Sequence, residues 1–83
     1  MYGLYSMRMK AQVKKSEKEI ELLEERKDEL EKLMADSELY QDQERWAEVS
    51  REYGSVKRRL ERNYALWEEA QEKIEEIEGS VGD

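Results

Sequence analysis
The feature that most constrains this chain is a pair of heptad seams that cannot belong to one straight rod. In the second half, Trp46, Val49, Tyr53, Val56, Leu60, Asn63, Trp67, Ala70, Ile74 and Ile77 follow one another at alternating spacings of three and four. Only Asn63 departs from the apolar or aromatic type. Such a pattern places one stripe along one face of a helix and asks for a second helix to cover it. The first half repeats the spacing with Met9, Val13, Ser16, Ile20, Leu23, Lys27, Leu30 and Met34. Ser16 and Lys27 interrupt this stripe, and Leu22, Leu33 and Leu66 widen the apolar faces. Twelve residues separate Met34 from Trp46, where an unbroken heptad needs eleven or fourteen.

The break lies in MADSELYQDQERW, residues 34–46. Asp36 is placed to cap a short turn over 37–40, and Asp42 to cap a second helix whose first turn is Gln43-Glu44-Arg45. Leu39 and Tyr40 are the apolar residues between the two caps, so they are expected to fold back over the end of the seam near Met34, Trp46 and Val49. The expected fold is all-α, an antiparallel two-helix coiled-coil hairpin. Helix 1 would span about 6–35, the tip 36–42 and helix 2 about 43–78, each helix roughly 45–55 Å long at 1.5 Å per residue. Gly79 stands where a C-terminal cap belongs, leaving 79–83 as a flexible tail. Residues 1–12 read as a linker-like segment ahead of the hairpin proper.

Charge agrees with a fold-back. Residues 1–18 carry a net +4, 19–48 a net −8, 49–62 a net +3 and 63–83 a net −6. Folding about Leu39 sets each basic block beside an acidic one. A parallel pairing would set basic beside basic. Each exposed pair contributes only about 0–1 kcal/mol, but together such charges select orientation and register.

Composition excludes most chemistry. Of the 83 residues, 45% are charged, and cysteine and histidine are absent, which removes disulfides, thiol catalysis and zinc sites. There is no phosphate-binding glycine loop and no apolar run of membrane-spanning length. The many carboxylates belong to solvated helix faces. No catalytic residue and no metal ligand is assigned, and the domain by itself is expected to be neither an enzyme nor a membrane protein. Two basic clusters remain: Arg8, Lys10, Lys14, Lys15 and Lys18, and Arg51, Lys57, Arg58, Arg59 and Arg62. A fold-back merges them in part at mid-rod. The candidate nucleic-acid contacts are Lys14, Lys15, Lys18, Lys57, Arg58, Arg59 and Arg62, because helix-borne cations neutralise phosphates without reading bases. The alternative is that these cations only neutralise facing glutamates. Trp46, Tyr53 and Trp67 belong to the seam, Tyr64 lies just off it, and Tyr2 and Tyr5 are outside both seams. Gly54 falls just off the seam as well.

The Asp36-Ser37-Glu38-Leu39-Tyr40 turn, followed by a long helix carrying Tyr64, Trp67 and Glu68, resembles the C-terminal coiled-coil domain of the Uup-like ABC-F ATPases. In that family a leucine-rich helix ends in a motif like L-x-D-P-E-L-Y, and a return helix ends in a W-E-x-x-x-E-type segment. Here serine stands at 37 in place of the usual proline, and the return segment reads Trp67-Glu68-Glu69-Ala70-Gln71-Glu72. The likeness covers about residues 18–78. It implies a cytoplasmic accessory domain whose ATP-binding cassette domains, with their ATP and magnesium, lie elsewhere in a parent chain. It further implies a partner in nucleic acid or the ribosome, with the domain itself a monomeric hairpin holding no cofactor. The other reading is a structural coiled coil for protein contact or self-association.

Overall fold
The computed structural model describes residues 2–82, with side chains described for 7–79. Tyr2 and Tyr5 therefore lie outside the described side chains. Helix α1 runs Tyr2–Met34, α2 Ser37–Gln41 and α3 Gln43–Gly82. The protein is all-α, with no strand among the described residues. The rod they build measures 62 × 15 × 13 Å.

The break between the seams is made by two aspartates. Ala35 and Asp36 leave α1 on amide bonds to the Glu31 and Leu33 carbonyls. Asp36, in extended backbone, accepts the Glu38 amide at 3.0 Å and caps α2. Asp42 does the same for α3, accepting the Arg45 amide at 3.1 Å. A carboxylate at such a position satisfies a donor that the first helical turn leaves without a backbone partner, which is why the chain turns here without proline or glycine. The expected two helices are thus three, because the tip closes into a helical turn of its own.

Contacts between α1 and α3 fall in reversed order. Lys10 meets Glu78, Glu17 meets Trp67, Glu24 meets Tyr64, and Glu31 meets Tyr53. This order is compatible with the expected antiparallel pairing. Every seam residue named from the sequence is buried or half-buried. The core consists of two separate clusters. Leu23, Leu30, Val56 and Leu60 form the one nearer the tip, joined by Ile20, Val49 and Tyr53. Val13, Ala70 and Ile74 form the other, joined by Met9 and Trp67. Ser16 is buried between them and accepts a 3.0 Å bond from Gln12.

Four expectations are corrected. Residues 9–12 are not a linker: Met9 packs in the second cluster and Lys10 pairs with Glu78 at 2.9 Å. Nor does α3 stop at Gly79. It continues to Gly82, with no glycine among the described residues in left-handed backbone. A helical glycine costs about 1 kcal/mol, too little to end a helix when no proline or competing cap follows. Leu22, Leu33 and Leu66 do not widen the buried face; all three are exposed, since the two-helix seam reaches only the stripe itself. Leu39 is buried, but Tyr40 is 55% exposed and touches Trp46 edge-on, the ring centroids 5.5 Å apart.

Candidate functional site
Two flanks run along the rod beside the seam, and their chemistry differs. On one, α1 presents Glu17, Glu24 and Glu31, seven residues apart. Each follows a seam residue directly, so all three overhang the same edge of the helix interface. Their partners on α3 are aromatic donors. Trp67 Nε1 donates to Glu17 at 3.1 Å, the Tyr64 hydroxyl to Glu24 at 3.1 Å, and the Tyr53 hydroxyl to Glu31 at 3.0 Å. Donating to a neighbouring carboxylate pushes both phenol pKa values up, since the protonated hydroxyl is the donor, and partial burial and the carboxylate charge both disfavour a phenolate. These donors carry no charge, so the flank stays acidic.

The other flank holds a shallow groove of about 360 Å³ across the two helices. Gln12, Lys15 and Glu19 line it from α1, and Arg59, Arg62, Asn63 and Leu66 from α3. The three cations reach it because Lys15 lies three residues after Gln12, and Arg62 three after Arg59, so each set shares a helix face. None of the three joins an ion pair among the described residues. Nearer the tip, Arg26 is engaged instead. Its guanidinium grips Glu52 through two nitrogens, one at 2.7 Å, and reaches Glu29 at 2.9 Å. Those bonds raise the Arg26 pKa further and hold the Glu52 carboxyl below the usual carboxylate range.

All seven cations proposed from the sequence are exposed, and they do not form one stripe. Lys15, Arg59 and Arg62 come together in the groove. Lys57 lies on the acidic flank, its ammonium 5.4 Å from the centre of the Tyr53 ring. Lys14 shares that side by helical spacing, four residues after Lys10 and three before Glu17. Arg58 folds back toward Gly54, with one Nη 3.6 Å from where a Cβ on that glycine would stand. Lys18 is three residues after Lys15, on the outward side of α1. At the tip, Asp36 and Asp42 are caps, Leu39 is buried, and Tyr40 is exposed.

The aromatic–carboxylate ladder did not emerge from the sequence, although a signal exists: glutamate directly after three successive seam positions. Gln12, Glu19, Asn63 and Leu66 as groove walls were also not foreseen. For Gln12, Glu19 and Leu66 the signal is a position beside the seam on the opposite edge, and for Asn63 it is the polar break in the seam itself. Among the described residues no cluster suited to a metal ion occurs, and no helix is long and apolar enough to cross a membrane.

A family model described as ABC transporter C-terminal domain matches residues 5–72. No curated protein and no solved structure matches the chain.

Proposed function
The chain belongs to the ABC transporter C-terminal domain family, and from that premise we propose that it acts as a non-catalytic antiparallel coiled-coil hairpin that holds nucleic-acid phosphates for a parent ATP-binding protein of the ABC-F type. The observation that carries this reading is the groove of Lys15, Arg59 and Arg62, three exposed cations without an ion-pair partner in a chain of net charge −7. What sets them apart from the other exposed cations is that they converge on one groove, with Glu19 the one carboxylate among the described residues that line it. Exposed and convergent, they suit phosphate oxygens, and binding would release condensed counterions. No base-reading element accompanies them, so binding is independent of sequence. The acidic flank turns the opposite side of the rod away from a polyanion, leaving one face for contact. The ATP-binding cassettes of the parent, with ATP and magnesium, supply the energy and the remainder of the binding surface. The contacted nucleic acid is either free or within a ribosome.

The test is a fluorescence titration of short DNA and RNA duplexes at low and moderate salt. Wild type is expected to bind weakly, with affinity falling steeply as salt rises. Arg59→Glu with Arg62→Glu should weaken binding by about tenfold or more, since two contacts are lost and two repulsions gained. Lys14→Glu with Lys57→Glu makes the same charge change on the other flank and should weaken it far less. Equal loss from both pairs, or no wild-type binding at low salt, overturns the reading. A coiled coil for protein contact or self-association, which the exposed Leu22, Leu33 and Leu66 favour, would then take its place.

A further inference from the structure
We propose that the rod has a built-in joint at Ser16 and Asn63, which divides it into two halves that open separately. The core supplies the first argument. Its buried residues fall into two clusters that do not merge, one containing Leu23 and Leu60 and the other Val13 and Ala70. Between them the two seams carry their small or polar members, Ser16 on α1 and Asn63 on α3. The contact order places them in neighbouring layers, Ser16 at the level of Trp67 and Asn63 about one helical turn nearer the tip, since Glu17 meets Trp67 and Glu24 meets Tyr64.

Neither polar group ties the helices together there. Ser16 is almost wholly buried, and its hydroxyl takes its bond from Gln12 of its own helix. Asn63 donates its amide to the Arg59 carbonyl, 2.9 Å away on its own helix. Both groups are thereby satisfied without crossing the interface. In these two successive layers only one helix supplies a large apolar side chain, Trp67 in the one and Ile20 in the other, and both are half-buried. Cooperativity in a two-helix rod travels through such successive layers, so two weakened layers in a row separate units of local unfolding.

The halves are also unequal. The half toward the tip is closed by the chain itself and clasped by Arg26 and Glu52. The half toward the termini has the smaller residues Val13 and Ala70 in its core and Lys10–Glu78 at its end. It opens first. The groove of Lys15, Arg59 and Arg62 spans the joint, and Asn63 is part of its wall. A ligand held there would bridge the two halves, a consequence that rests on the phosphate-binding reading; the joint itself does not.

The experiment is native-state hydrogen exchange on the free protein over a series of low denaturant concentrations, comparing the amides of Val13 and Ala70 with those of Leu23 and Leu60. The expected result is two opening units, with protection at Val13 and Ala70 lower by about tenfold or more. Asn63→Leu restores an apolar layer and should merge the two into one. Wild-type amides that converge on a single opening from the outset, or that only grade smoothly toward the termini, would overturn the joint. So would an Asn63→Leu variant that keeps two units. No nucleic acid enters the measurement, so its outcome is separate from that of the titration.

Discussion
At the scale of single residues, the local geometry separates positions that resemble each other in the sequence. Leu39 and Tyr40 are neighbours in the tip, yet Leu39 is buried and Tyr40 is mostly open to solvent. Leu39→Ala should lower stability by about 2–5 kcal/mol, the usual range for a buried leucine. Tyr40→Ala gives up an edge contact with Trp46 and little burial, so the loss should be about 1 kcal/mol. Denaturant melts of the two variants check the contrast, and equal losses would contradict it. Gly54 offers the opposite case. It is helical, its backbone is not left-handed, and a Cβ there meets only the far end of the Arg58 side chain at ordinary contact distance. Gly54→Ala should therefore stabilise the protein by about 0.5–1 kcal/mol. A lowered melting temperature would mean that the helix needs the glycine for a close approach not seen here.

The pairing of α1 with α3 depends at its flanks on groups whose protons matter. Tyr53 and Tyr64 donate to Glu31 and Glu24, and their pKa values are raised by those bonds. A folded-state pKa above the unfolded one contributes stability that is fully present below the unfolded value and lost as pH rises through the folded value. The stability curve should thus fall above about pH 10, the ordinary tyrosine range. Tyr53→Phe with Tyr64→Phe should flatten that limb, measured by urea melts across alkaline pH. Glu52 has the opposite sign. Its carboxyl is held low, chiefly by the hydrogen bonds from Arg26, so its contribution is present above the ordinary glutamate range, near pH 4.3, and lost as pH falls below it. Both partners are 42% exposed, so salt screens the interaction and the acid limb should shallow in high salt.

For the whole molecule, the two flanks give the rod a sidedness that its net charge conceals. Glu17→Gln, Glu24→Gln and Glu31→Gln together would raise the formal charge of −7 by three while leaving an acceptor oxygen for each aromatic donor. The triple variant should keep a cooperative melt and bind short duplexes about threefold to tenfold more tightly at low salt, the gain fading as salt rises. An unchanged affinity would show that the acidic flank does not shape the field around the groove.

The all-α class, the seam residues and the two aspartate caps were legible because each depends on local chemistry. Heptad spacing decides which residues share a helix edge, and a side-chain carboxylate caps the amides that follow it within three positions. The order of charge blocks points to a fold-back for a similar reason, since net charge over a block needs no side-chain geometry, and the reversed contact order is compatible with it. The fate of residues beside the seam was another matter. Leu22 and Leu66 look as apolar as Leu23 and Leu60, but they lie off the stripe that α1 and α3 bury between them, and no other element covers them among the described residues. Lys14 and Lys15 are adjacent in sequence, and the 100° between successive residues of a helix sends one to the acidic flank and the other to the groove. The aromatic partners of three glutamates and the grouping of Lys15 with Arg59 and Arg62 both depend on which residue of one helix faces which residue of the other. That alignment is an energy summed over the whole interface, so only the tertiary structure decides it.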